Sequence, residues 1–418
     1  MKKLIFIILL AATSLSAQWQ PTTGLENKWI YSFAKSGNTL FAGEGLSILI
    51  HGSLNKSTNE GQSWTPIDLG MDPSAIMSMA TKDNFVYAGT YQEHLFLSSD
   101  AGDTWQHVLV NSGFGTGIFE IGISGNNIML YVNTIAAYYL STNNGYNWNP
   151  VVSPNLSGNI FGFLNKDDLF FAATKKGIAY STDHGFTWLK PANTGLPMNP
   201  DGSFPLSSIV QHGSRIYTSC LNKILYTTNN GDSWTETNIE LGSFPNVNTM
   251  ISYGGKVFAS VSGQIDSIRG VKVTSNNGQN WNLMNNGLPA STGVYYMFLD
   301  NNYLLAGMSG KGIYRLPLSV ISGVNGSSSS AVNYELMQNY PNPFNPVTKI
   351  NYLTNNTGKV LLKIYDEAGK EVSTIVNEVQ SPGSYSYIFD GSNLASGIYY
   401  YKLQAESFSD VKKMVLVR

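Results

Sequence analysis

Asp100 and Asp183 are acids whose surroundings recur along the chain, and a recurring acid beside a hydroxyl residue is a candidate general acid or hard-cation ligand. Each lies in an eight-residue phrase: Ser or Thr, Asp or Asn two residues on, then Gly, then Trp. The phrase, hereafter the box, occurs six times: STNEGQSW at 57–64, SSDAGDTW at 98–105, STNNGYNW at 141–148, STDHGFTW at 181–188, TTNNGDSW at 227–234 and TSNNGQNW at 274–281. Asn59, Asn143, Asn229 and Asn276 hold the acid's place in the other four. Asn keeps the turn-forming oxygen but loses the charge that acid catalysis or a hard cation requires. Comparing the copies therefore assigns this position to the backbone, with no catalytic residue and no metal ligand expected.

Other chemistry-bearing residues are scattered. A glycosidase needs two carboxylates about 5–10 Å apart, and no spacing pairs any two of Glu26, Glu44, Asp72, Glu93, Glu120 and Asp201. They read as solvated loop acids. His51, His94, His107, His184 and His212 are dispersed, and Gln92-Glu93-His94 lacks the helical frame of a zinc protease. The single cysteine, Cys220, lies in an apolar strand and reads as buried and inert. GFGTG at 113–117 follows an apolar stretch with no helix behind it, which suits a loop better than a phosphate cradle. No cofactor is expected.

The elements that must position these residues are hairpins. Each box separates two runs rich in Val, Ile, Leu, Tyr and Phe, so its polar middle is a turn. The Asp or Asn is expected to bond its own backbone two residues on, the Gly to supply positive φ, and the Trp to enter the second strand and bury its indole. The residues in these roles are Asn59, Gly61 and Trp64; Asp100, Gly102 and Trp105; Asn143, Gly145 and Trp148; Asp183, Gly185 and Trp188; Asn229, Gly231 and Trp234; and Asn276, Gly278 and Trp281.

The box glycines lie 41, 43, 40, 46 and 47 residues apart, a period that means one small sheet repeated in a ring or array. A second apolar unit precedes each box: NTLFAG, NFVYAG, NIMLYV, DLFFAA, RIYTSC and KVFASV; a seventh, YLLAGM at 303–308, has no box after it. Trp19 supplies the missing piece. Gly24-Leu25 follows it much as Gly195-Leu196 follows Trp188 and Gly287-Leu288 follows Trp281. An N-terminal strand around Trp19 would complete the last unit and remove the free edges.

The box resembles the Asp-box, or bacterial neuraminidase repeat, of sialidase-like propellers, photosystem II assembly factors and sortilin-type receptors. That resemblance implies a β-propeller, and the seven apolar units closed by a strand around Trp19 make it seven-bladed over 18–318. Sialidases of this kind need three arginines around the substrate carboxylate, because bidentate guanidinium pairing is not replaced by Lys. The propeller segment has Arg215, Arg269 and Arg315. Tyr314-Arg315-Leu316-Pro317 looks like the family's Arg-Ile-Pro motif, yet it follows the last box, where the family carries it before the first.

Charged residues make up only 12% of the 418-residue chain and the formal net charge is −2, so no basic field exists to hold nucleic acid. MKKLIFIILLAATSLSA reads as a secretory signal with cleavage expected after Ala17. No cysteine follows it for lipid anchoring, and no other run reaches the ~20 apolar residues of a spanning helix.

SVISGVNGSSSSAVN at 319–333 reads as a flexible Gly/Ser-rich linker. Beyond it, Pro341, Pro343 and Pro346 forbid a helix, and alternating runs at 359–366, 370–376, 384–390, 396–405 and 411–418 predict an antiparallel β-sandwich. QNYPNPFNP, the YDEAGKEV hairpin, LASGIYYYKL and a basic final strand together resemble the C-terminal sorting domain of the Por, or type IX, secretion system. The residues carrying it are Asn339, Pro341, Asn342, Pro343, Phe344, Asn345, Pro346 and Gly397. The resemblance implies type IX machinery as a partner and delivery to the outer surface or surroundings of a Gram-negative bacterium.

The expectation is an all-β chain: signal peptide at 1–17, seven-bladed β-propeller at 18–318, linker at 319–333 and small β-sandwich at 334–418. The expected role is a non-catalytic module binding an extracellular glycan or protein; the alternative is an extracellular glycoside hydrolase or sialidase-like enzyme. Loops at 43–56, 192–206 and 262–272, with Tyr91, Phe114, Phe204 and Phe244, are candidate recognition elements.

Overall fold

The computed structural model describes residues 18–47, 50–71, 73–92, 95–110, 117–133, 136–239, 241, 245–263, 269–290, 293–323, 335–336, 338–339, 341–354, 358–380, 383–405 and 408–417. The expected signal at 1–17 lies outside them. The chain divides into two compact units, Met1–Val324 and Asn325–Arg418.

The first unit repeats one meander. Trp29–Ser36, Thr39–Ser47, Ile50–Ser57 and Thr65–Pro66 set the plan: three long strands, then the box, then a short outer strand. The plan restarts at Ile76–Lys82, Ile118–Ser124, Ile160–Lys166, Leu206–His212, Pro245–Tyr253 and Val294–Leu299, giving this unit seven sheets among the described residues. In the fourth, a lone Tyr180–Leu189 bridge replaces the outer strand. Second strands such as Asn127–Val132 are buried throughout, because neighbouring sheets cover both faces. First strands pack on one another in sequence order, and Val294–Leu299 packs back on Trp29–Ser36. The sheets thus close into a β-propeller.

The last sheet takes its outer strand from the start of the chain, with Gln20 opposite Arg315 and Pro21 opposite Tyr314. Trp19 then stands where a box Trp stands elsewhere. Its side chain is buried, its Nε1 donates to the Met284 carbonyl at 2.7 Å, and its backbone meets Gly287. Gly24 meets Trp64 and Gly195 meets Trp234 in the same way. A Cβ on Gly287, Gly24 or Gly195 would lie 2.3, 2.2 or 2.6 Å from the facing Trp carbonyl oxygen, and all three have positive φ. The Gly-Leu spacing read from the sequence is therefore a contact between neighbouring sheets.

Two local expectations change. The segment 43–56 is a long hairpin rather than a loop, with pairing that runs out to Ser47 opposite Ile50. Leu318–Gly323, mostly assigned to the linker, is a short helix whose Leu318 and Ile321 are buried against the seventh sheet.

In the second unit, one sheet contains Glu335–Leu336, Val347–Thr354 and Gly383–Asp390; the other contains Glu371–Gln380, Gly358–Asp366, Gly397–Ala405 and Phe408–Leu416. Alternate residues of both, including Ile350, Tyr352, Leu362, Ile364, Tyr401 and Leu403, form one apolar core.

Candidate functional site

The boxes share one hydrogen-bond plan. The Ser57 hydroxyl donates to Asn59 Oδ1 at 2.8 Å and accepts the Gly61 N–H at 3.0 Å, while Asn59 Oδ1 accepts the Ser63 N–H at 3.0 Å. Asp100 does the same with Ser98 at 2.7 Å and the Thr104 N–H at 2.9 Å. Asn143, Asp183, Asn229 and Asn276 repeat the arrangement. The acceptor thus reaches the N–H four residues on, not two as expected. The chain curls further because the residue before each glycine is also left-handed: Glu60, Ala101, Asn144, His184, Asn230 and Asn277 have φ of 54–60°. Asn at three of these six positions was the signal in the sequence.

Acid and amide fill the same role. Hydrogen bonds from the Thr104 side chain, the Thr104 backbone and Ser98 hold the Asp100 carboxyl down at about 2. For Asp183, burial pushes upward but the bonds from Thr187 and Ser181 prevail, and the carboxyl is held low. Both stay ionised as acceptors, the wrong state for donating a proton. Of the box tryptophans, Trp64, Trp188 and Trp234 are buried and Trp105, Trp148 and Trp281 half-buried. The indoles of Trp105, Trp188 and Trp234 donate to the carbonyl of their own box glycine.

In four boxes the left-handed residue is also tied to the preceding sheet. Arg315 Nη1 donates to the Glu60 carbonyl at 3.2 Å, Lys82 Nζ to Asn144 Oδ1 at 3.1 Å, Asn127 Nδ2 to the His184 carbonyl at 3.1 Å, and Arg215 Nη1 to the Asn277 carbonyl at 3.1 Å. Arg215 also lies 4.1 Å over the Tyr226 ring and Arg315 4.4 Å over that of Tyr303. Arg269 Nε donates to the Gly263 carbonyl. The arginines a sialidase would gather are thus spread over three sheets.

The remaining candidates have local duties. Both Glu26 oxygens accept the Gly24 N–H at 3.1 Å, and Asp201 accepts from Ser203, which lowers its pKa. His184 Nδ1 meets Ser124 Oγ at 3.0 Å and His212 Nδ1 meets Ser252 Oγ at 2.9 Å. Cys220 is buried, its thiol pushed up to about 12 by burial. Tyr91 is half-buried against Phe119, ring centroids 5.4 Å apart, and Phe204 packs under the fifth sheet. Asp72, Glu93, His94, Phe114 and Phe244 lie outside the described residues, as does 113–116.

What the sequence did not reveal is a ring of β-bulges. The first strand of every sheet slips register once, at Tyr31, Met77, Phe119, Phe161, Ser207, Asn248 and Tyr295. Strand direction puts these residues at the end of the propeller opposite the boxes, around the axis, and all seven are half-buried. On the propeller plan they ring the axis at that end; Phe119 and Phe161 pack against the cores of neighbouring sheets, Ser207 Oγ meets Ser219 Oγ at 2.7 Å, and Asn248 Nδ2 donates to Ser262 Oγ at 2.8 Å and the Val294 carbonyl at 2.9 Å. Trp29 lies against Tyr295, centroids 5.6 Å apart. The Tyr31 phenol is pushed up by burial, then by Tyr295 and Glu44. Glu44 is buried; its Oε1 meets Lys28 Nζ at 3.0 Å and Ser53 Oγ at 2.5 Å, and its Oε2 has no partner.

In the second unit the proline-rich motif clasps the final strand. Asn339 is buried and its N–H donates to the Tyr401 hydroxyl at 2.7 Å. Asn342 Oδ1 accepts the Val415 N–H at 2.8 Å; Phe344 is buried, and its backbone bonds Val415 and Val417 at 2.9 and 3.0 Å. The Pro341 carbonyl accepts from Thr348 and the Pro346 carbonyl from the Gly391 N–H, both at 2.8 Å. The bonds from Asn342 and Phe344 cover the C-terminal end of the outer edge of Phe408–Leu416, which would otherwise offer unpaired backbone there. Pro343 and Asn345 are exposed, as is Gly397 where its strand begins opposite Leu416.

The chain is an all-β protein with a propeller followed by a sandwich. Residues 338–417 match the family described as the secretion system C-terminal sorting domain, Por_Secre_tail. This domain indicates type IX export to the cell surface or extracellular space. Similar solved structures are propellers: YCF48 from Cyanidioschyzon merolae, 12% identical with TM-score 0.55, covers 72% of this chain and 98% of its own. PorZ of Porphyromonas gingivalis, described as an essential surface component of the type IX secretion system, is 14% identical with TM-score 0.52 over 96% of this chain and 61% of its own. The extracellular domain of BT4673 from B. thetaiotaomicron is 12% identical with TM-score 0.56 over 96% and 59%. No curated protein sequence matches the chain. Among the described residues no helix is long and apolar enough to cross a membrane.

Proposed function

We propose that the propeller is a non-catalytic binding module, carried out of the cell by its sorting domain, which recognises an extracellular glycan or protein at the mouth of the central channel. The observation that carries this reading is the bulge ring. It presents Tyr31, Phe119, Phe161 and Tyr295 half-buried at one end of a rigid scaffold, the arrangement aromatic recognition uses. The box acids are fixed turn acceptors, and Arg215 and Arg315 are committed between sheets.

The test is a glycan array together with a broad glycosidase panel on mature chain 18–418. Retention of a ligand without turnover is expected; turnover abolished by removing a single carboxylate would establish the glycoside hydrolase alternative instead. Export has a separate test. Deleting 334–418 should leave the propeller in the periplasm, and normal surface delivery of the shortened chain would refute the sorting role.

A further inference from the structure

The residue before the box Trp sets the third and sixth boxes apart from the others. Ser63, Thr104, Thr187 and Ser233 turn their hydroxyls back onto the box amide or acid at 2.5–3.0 Å. Asn147 and Asn280 make the turn bond through the N–H alone, at 2.9 and 3.0 Å. The tryptophans differ as well. The indoles of Trp105, Trp188 and Trp234 donate to their box glycine, whereas among the described residues Trp281 Nε1 meets no acceptor.

Asn280, Trp281 and Asn282 line a cavity of about 450 Å³ together with Lys272 and Asn238. Lys272 stands on the third strand of the sixth sheet, opposite Leu283 of the outer strand. Asn238 comes from the fifth sheet: its N–H donates to the Gly278 carbonyl at 2.9 Å, and a Cβ on Gly278 would lie 2.5 Å from Thr237 Cγ2. That close contact sets the Asn238 carboxamide beside those of the sixth box. All three asparagines are exposed, and among the described residues no hydrogen bond uses their carboxamides. The third box repeats Asn-Trp-Asn at 147–149, but exposed Leu109 stands where Asn238 does and Tyr139 where Lys272 does.

We propose that this cleft on the outer rim, between the fifth and sixth sheets, is a second binding site that takes one neutral pyranose unit of a glycan. It is independent of the mouth. Each carboxamide offers a donor and an acceptor, which is what neighbouring sugar hydroxyls need, and the half-buried Trp281 ring gives the C–H face of a pyranose a flat apolar wall. Lys272 is buried and already engaged within the chain, so a carboxylate finds no open cation there. A peptide side chain finds a single ring and no apolar pocket. The cavity lies within the usual size of small-ligand sites. One sugar unit held this way has a dissociation constant on the order of 1 mM, too weak for retention on an array.

Saturation-transfer NMR on mature chain 18–418 tests this with the methyl glycosides of glucose, galactose and mannose, methyl glucuronide and a blocked glycine tripeptide. At least one neutral glycoside should bind with a dissociation constant of about 1–10 mM. Asn238→Ala/Asn280→Ser/Asn282→Thr should weaken it at least tenfold without lowering Tm, since Ser63 with Thr65 and Ser233 with Thr235 flank the Trp in other boxes. Asn147→Ser/Asn149→Thr, the same exchange in the third box, should leave binding unchanged. So should Tyr31→Ala/Tyr295→Ala at the mouth. Failure of all three neutral glycosides, an unchanged triple variant, a tenfold preference for the glucuronide, or binding of the tripeptide alone would overturn the proposal. Loss in the mouth variant with the triple variant unaffected would move the sugar to the mouth, overturning the rim site while leaving the binding module standing.

Discussion

The two ends of the propeller are built by opposite rules. At the box end the same side chains do the same work in six copies, down to hydrogen bonds of 2.7–2.9 Å between hydroxyl and acceptor. At the mouth, the seven bulges repeat the backbone event and vary the side chain: Tyr, Met, Phe, Phe, Ser, Asn, Tyr. A repeated side chain marks a shared structural need, whereas a shared backbone position with free side-chain choice is where recognition can diversify. The apparent chemistry of this chain lies at the uniform end and the proposed binding surface at the varied one.

Stability should divide along the same line. The largest loss is expected from Trp188→Ala, about 3–5 kcal/mol in chemical denaturation, since its ring is buried 5.4 Å from Phe170 and its indole is hydrogen-bonded. Gly102→Ala follows at about 1–3 kcal/mol, because the new Cβ would lie 2.2 Å from Phe41 Cζ at a φ of +94°. Asp100→Ala removes the acceptor for Ser98 and Thr104 and should cost about 1 kcal/mol. Asp100→Asn should stay within about 0.5 kcal/mol of the parent, as four natural Asn boxes imply. A mouth substitution as costly as Trp188→Ala, or an Asn for Asp exchange as costly as Ala, would erase the distinction.

This division also explains what could be read from the chain. The hairpins, the ring and the role of Trp19 were legible because they depend on residue type at fixed spacing: a Trp that fills a slot and a Gly that lets the neighbouring backbone approach. The bulges were not legible, because a bulge is a slip in register that Tyr31, Ser207 and Asn248 can make equally well. The hairpin at 43–56 was hidden by its glycines, which resemble loop composition while Gly43 and Gly52 in fact allow close approach to Ile76 and Ser74. Glu120 reads as a loop acid, whereas it stands on Ile118–Ser124, the first strand of the third sheet, just after its bulge.

The most direct test of the central claim compares three mature proteins on one glycan array and glycosidase panel: the parent, Asp100→Asn/Asp183→Asn at the boxes, and Tyr31→Ala/Tyr295→Ala at the mouth. Parent and box variant should retain the same ligands, the mouth variant should lose them, and none should turn over substrate. Retention or turnover that survives the mouth substitutions but vanishes with the two box acids would contradict the account.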